Sequence, residues 1–118
     1  MSKRLEVQIW SDIACPWCYV GKRRFEAALA RFPHASEVEL VWRSFELDHS
    51  APRVRPHQDQ AERLAAKYGM SVAEARARLD QLVSVAEAEG LALNFTDIKP
   101  GNTFDAHRLL HFAHAHGK

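Results

Sequence analysis

The feature that most constrains this chain is a pair of cysteines, Cys15 and Cys18, set where one hydrophobic period gives way to another. Before them, Leu5, Val7 and Ile9 alternate with Glu6, Gln8 and Trp10, the period of a strand. After them, Phe25, Ala28, Leu29 and Phe32 recur at helical spacing, so a helix is expected from Pro16 to about Arg31. Pro16 suits the first turn, where its missing N–H has no partner to lose, and Pro33 marks the stop. Val38–Ser44, rich in β-branched and aromatic residues, reads as a second strand. A strand–helix–strand unit of this kind pairs its strands in parallel, which puts the cysteines where the chain leaves the first strand.

The remainder reads mostly as helix. Phe45 to Pro56 is a connection broken by Pro52 and Pro56, and Gln58 to about Tyr68 forms a short helix stopped by Gly69. Ser71 and Glu74 form a capping box for another helix, with Val72, Ala75, Leu79, Leu82, Val83 and Ala86 on one face and Gly90 at its end. Leu91 to Phe95 is expected to be a short extended segment. Pro100-Gly101 reads as a turn, and Asn102 or Thr103 caps a last helix running toward His116. The expected division is a β-α-β half, 1–57, and a helical insertion, 58–118.

Composition narrows the partners. The chain has 118 residues, room for one small domain, with 16 basic and 15 acidic side chains and a formal charge of +1. Such a balance offers no electrostatic ground for nucleic acid or an anionic membrane. No apolar signal-peptide core follows Met1-Ser-Lys-Arg, and no stretch approaches the ~20 apolar residues of a membrane span. The expected location is the cytoplasm. Both cysteines lie in one Cys-x-x-Cys, so they are not a disulfide framework.

That spacing has a specific chemistry. Unpaired N–H groups at a helix start favour an anionic sulfur there, which lowers a thiol from about 8.5 toward the 3.5–7.5 range. Cys15, at the expected cap, is read as the attacking thiol, with a lowered pKa. Cys18, one turn later, is read as the resolving thiol that attacks the mixed disulfide and releases substrate. Two plainer readings compete. Zinc usually takes four ligands, and the chain has no second cysteine pair. Cysteine also serves as an ordinary core residue. The strand–loop–helix context favours the redox reading over both.

Other residues invite roles. Asp12 is either a proton acceptor beside the thiols or the cap of a turn. His107, His111 and His114, followed by His116, share a helix face. They are read as surface histidines, with His107 a packing residue and no metal bound. Lys22-Arg23-Arg24 is read as a solvated helix face. Trp10 and Trp42 are expected to pack beside the sheet, and Trp17 to lie exposed as an apolar contact for a client peptide. Gly21 is expected to permit close packing of the first helix.

Three blocks carry a resemblance: Ser11-Asp12-Ile13-Ala14-Cys15-Pro16-Trp17-Cys18-Tyr19-Val20-Gly21, Trp42-Arg43-Ser44-Phe45-Glu46-Leu47 and Asn102-Thr103-Phe104-Asp105-Ala106-His107-Arg108-Leu109. With them the chain resembles the DsbA-like branch of the thioredoxin superfamily, and within it the FrnE-like oxidoreductases, relatives of 2-hydroxychromene-2-carboxylate isomerase. The resemblance implies an α/β fold: a partial thioredoxin-like β-α-β unit with a helical insertion. It implies thiol–disulfide exchange with protein or peptide dithiols at Cys15 and Cys18, with Asp12, Pro16 and Trp17 near the substrate. It implies no resident cofactor, and glutathione is the candidate co-substrate.

Members of the family continue into a further ββα segment that opens with a cis-proline loop, and none of the five prolines here lies where that loop should be. A truncated chain is therefore expected, either self-associating through the open edge of its first strand or only partly ordered. Two other functions fit the same scaffold: a glutathione-dependent isomerase, whose members typically carry serine at the position of Cys15, and an inactive fragment that serves as an interaction module.

Overall fold

A computed structural model describes residues 3–118; Met1 and Ser2, the start of the basic amino-terminal run, lie outside them. The elements are β1 (Leu5–Ser11), α1 (Pro16–Ala30), a 3-10 turn (Ala35–Glu37), β2 (Val38–Ser44), α2 (Gln60–Tyr68), α3 (Val72–Ala88) and α4 (Phe104–Ala115). The chain forms two compact units. One runs to Ala51 and takes in Asn102–Lys118; the other is Pro52–Gly101.

In the first unit β1 and β2 pair in parallel, from Leu5 opposite Val38 to Ser11 opposite Ser44. The Phe45 N–H, bonded to the Ser11 carbonyl at 3.0 Å, carries the ladder one step further. Val7 and Ile9 are half-buried, while Glu6 and Gln8 between them are exposed, as a period of two requires. From α1, Val20 is fully buried and Phe25 and Leu29 are half-buried. Asn102 fixes where α4 begins: its amide donates to the Ala51 carbonyl at 3.0 Å, and its side-chain oxygen accepts the Phe104 N–H at 2.8 Å.

The second unit is a helix pair. Ala61 and Ala65 of α2, one turn apart, meet Ala75 of α3, with Leu64, Met70 and Leu79 packed around them. Small side chains on both faces let the two helices approach closely. The capping box is present: the Ser71 hydroxyl accepts the Glu74 N–H at 3.1 Å, and the Glu74 carboxylate accepts the Ser71 N–H at 3.3 Å. Gly69, in the left-handed region at φ 64°, ends α2.

Several expectations are corrected. The division at residues 57 and 58 grouped α4 with the other helices, but α4 belongs to the unit of the strands. Residues 91–95 belong to no helix and pair with no strand. Gly90, at φ 77°, turns the chain so that the Leu91 N–H returns to the Ala86 carbonyl at 2.9 Å, and Leu91 is buried as the apolar end of that cap. Pro100-Gly101 is not a regular turn; a Cβ on Gly101 would lie 2.5 Å from the Arg53 carbonyl oxygen, so glycine serves there for a close approach. Gly21 is the reverse case, for an added Cβ would meet nothing within 4 Å. Trp10 and Trp42 are 58% and 37% exposed. The sheet has two strands among the described residues, too narrow to cover both rings, and Trp42 instead carries the Lys22 ammonium 5.8 Å from its ring centre.

Candidate active site

β1 ends at Ser11, and a short loop delivers Cys15 to the first turn of α1. Cys15 is the N-cap, in extended conformation (φ −99°, ψ 107°), and Pro16 follows it as a residue with no N–H to satisfy. The first turn of α1 itself holds no acidic residue, although the Asp12 carboxylate lies near enough to work against an anion on Cys18. The Cys18 N–H donates to Cys15 Sγ at 3.3 Å, and the Cys15 carbonyl accepts the Cys18 and Tyr19 N–H groups at 3.1 and 3.4 Å. Both cysteines are free thiols, both are half-buried, and their sulfurs hydrogen-bond to each other.

The two thiols shift in opposite directions. Burial pushes Cys15 up, and the Cys18 sulfur pushes the same way, against the pull of the Cys18 and Trp17 N–H groups. Burial would raise Cys18 too, but the Asp12 N–H, the Cys15 thiol and the Ser11 hydroxyl favour its anion and bring it down. The expectation that Cys15 is the more acidic thiol is therefore corrected for the resting pair. The helix start does donate to Cys15, yet burial and the neighbouring Cys18 sulfur outweigh it. The two sulfurs thus titrate together rather than independently.

Asp12 lies at the base of this loop and is 5% exposed. Its carboxylate accepts the Leu47 N–H at 2.9 Å through Oδ2 and meets His107 Nε2 at 3.0 Å through Oδ1. Burial alone would raise its pKa, but the Leu47 N–H, the Thr103 hydroxyl, the His107 ring and the Ala14 N–H hold it below the usual carboxylate range. An ionised carboxylate only accepts, so His107 Nε2 carries the proton of that bond. Asp12 is therefore directed into the protein, with its carboxylate held by these groups. Pro16 is half-buried, and Trp17, 53% exposed, lies open beside the sulfurs.

The remaining sequence candidates separate. His107 is buried, whereas His111, His114 and His116 are exposed; His111 meets the Ser44 hydroxyl at 2.9 Å and His116 the Phe112 carbonyl at 2.8 Å. Among the described residues no group of three His, Cys, Asp or Glu side chains could hold a metal ion. No described helix is long and apolar enough to cross a membrane. Lys22 and Arg23 both pair with Glu26 on the exposed side of α1. Sequence reasoning missed the bond from Asp12 to His107; the one available signal was that both stand in blocks carrying the family resemblance.

A parallel βαβ unit with a Cys-x-x-Cys opening its helix defines a thioredoxin-like α/β protein. The chain belongs to the DSBA-like thioredoxin domain family, whose model matches residues 6–118. It is similar to the crystal structure of SCO1869 from Streptomyces coelicolor, described as a probable DsbA oxidoreductase. That likeness has 56% identity and a TM-score of 0.87 over 95% of this chain and 47% of the other. It is 28% identical over 116 residues to the uncharacterised protein YwbO of Bacillus subtilis (strain 168), across 97% of this chain and 50% of that protein. The chain spans about half the length of these relatives.

Proposed function

We propose that this chain carries the dithiol of a thiol–disulfide oxidoreductase that exchanges disulfides with protein or peptide dithiols, in the manner of the FrnE-like branch. One observation carries the reading: Cys15 Sγ sits at a helix start and accepts the Cys18 N–H at 3.3 Å, with the Cys18 thiol facing it one turn behind. Membership of the DSBA-like family and the likeness to SCO1869 support it.

The chemistry balances within the pair. Cys15 gives up its proton to solvent, and the thiolate so formed attacks one sulfur of a substrate disulfide. The substrate bond breaks, a mixed disulfide forms, and the first substrate sulfur leaves as a thiolate that takes up a proton. Cys18 then loses its proton and attacks Cys15 Sγ, which forms the Cys15–Cys18 disulfide and releases the second substrate thiol. Two electrons have passed to the substrate, and an external thiol such as glutathione restores the reduced pair. Run in reverse, the same steps oxidise a client dithiol. Exposed Trp17 supplies an apolar contact for the polypeptide on either side of the client sulfur.

The test is equilibration of the purified chain with reduced and oxidised glutathione, followed by reduction of a peptide disulfide. A Cys15–Cys18 couple that exchanges reversibly and passes its electrons to the peptide supports the reading. Thiols that stay inert to both would end it. The paired, mutually bonded thiols weigh against a glutathione-dependent isomerase, which needs no second sulfur.

A further inference from the structure

We propose that His107 is a positioning residue for the dithiol: from α4 it holds Asp12, and Asp12 in turn holds the start of α1, on which both sulfurs stand. The inference rests on reading Cys15 and Cys18 as the reactive pair.

A chain of contacts joins the ring to the sulfurs. His107 Nε2 donates to Asp12 Oδ1 at 3.0 Å, between residues that are 6% and 5% exposed. The Asp12 carbonyl accepts the Cys15 N–H at 3.1 Å, and Cys15 Sγ accepts the Cys18 N–H at 3.3 Å. The N–H of Asp12 faces the Cys18 sulfur. One residue thus touches both cysteines through its main chain, and its side chain is fixed from α4, from Leu47 and from Thr103.

The ring has no other polar task. His107 Nδ1 is buried without a hydrogen-bond partner, so the bond to Asp12 is the polar contact that its imidazole makes. At this burial no water replaces a lost donor, and a carboxylate short of one turns to find another. In the proposed linkage this strain passes into the Asp12 main chain, whose carbonyl holds Cys15 and whose N–H faces Cys18. A residue that merely filled space beside α4 would leave both contacts where they are.

The test compares His107→Leu, which keeps apolar bulk without a donor, with His107→Gln, whose amide reaches the place of Nε2. The readout is the pH profile of Cys15 and Cys18 alkylation by iodoacetamide. His107→Leu is expected to move the profile upward and to slow alkylation at neutral pH roughly threefold to tenfold. His107→Gln is expected to restore the profile, whatever its Tm. A folded His107→Leu protein with the unchanged profile would overturn the proposal, and so would equal shifts in the two variants. Should His107→Leu not fold, the proton resonance of His107 Nε2–H is followed in the natural chain as the cysteines are oxidised. A shift supports the linkage, and an unmoved signal overturns it. Alkylation reads the thiols without turnover, so a chain inert toward disulfides could still pass this test, and the two failures stay distinct.

Discussion

The backbone N–H of Cys18 points at the sulfur of Cys15 across 3.3 Å, while the side chain of Cys15 lies against the sulfur of Cys18. The two residues stabilise each other's anion by different groups, and this asymmetry separates their roles.

Serine at either position should therefore do different things. In Cys18→Ser the Cys15 thiol loses the sulfur that pushes it up and keeps the N–H donors, so it should titrate lower than in the natural chain. That variant should trap a mixed disulfide with a peptide, whereas Cys15→Ser should form none. Mass spectrometry of the trapped adducts and alkylation against pH read the two effects, and trapping by Cys15→Ser instead would reverse the assignment.

Asp12 makes stability depend on acid. Its carboxyl is held below the usual range when folded, so its full contribution is present at neutral pH. As pH falls below about 4 the unfolded chain takes up the proton first, and the contribution is lost through the lower, folded value. Urea unfolding should show stability dropping in that window, and Asp12→Ala should flatten the slope there. At neutral pH the same variant should cost about 3 kcal/mol, because it leaves His107 and the Leu47 N–H without their partner.

Two glycines should answer alanine in opposite senses. Gly21 is exposed within α1 with open space around it, so Gly21→Ala should stabilise by about 1 kcal/mol. Gly101→Ala would drive a methyl to 2.5 Å from the Arg53 carbonyl oxygen, a backbone atom that no rotamer can move. A loss of about 1–3 kcal/mol is expected there. Thermal unfolding of the pair of variants checks both signs.

The free side of β1 carries the last prediction. β2 lies on one side of it, no strand lies on the other among the described residues, and Leu5 and Trp10 are each 58% exposed. Such an edge is open to pairing with another strand, and a second copy of the chain is the expected one. Sedimentation velocity should find species larger than a monomer, reduced by Trp10→Lys. A single monomeric species at every concentration would remove the idea.

Local chemistry was legible before any coordinates. The alternation of β1, the β-branched run of β2, the Ser71–Glu74 box and the proline after Cys15 each act within a few residues, and each stands where its pattern puts it. The cysteine pair at a helix start followed from the same short-range rules, because three residues of helix set its geometry. The rest was decided at long range. Which thiol is the more acidic depends on burial and on the groups that reach each sulfur, among them the Asp12 N–H at Cys18. His107 and Asp12 stand 95 residues apart, and no periodicity connects them. Only the packing of α4 beside the strands brings an imidazole to a buried carboxylate, where, out of water, each becomes the other's necessary partner.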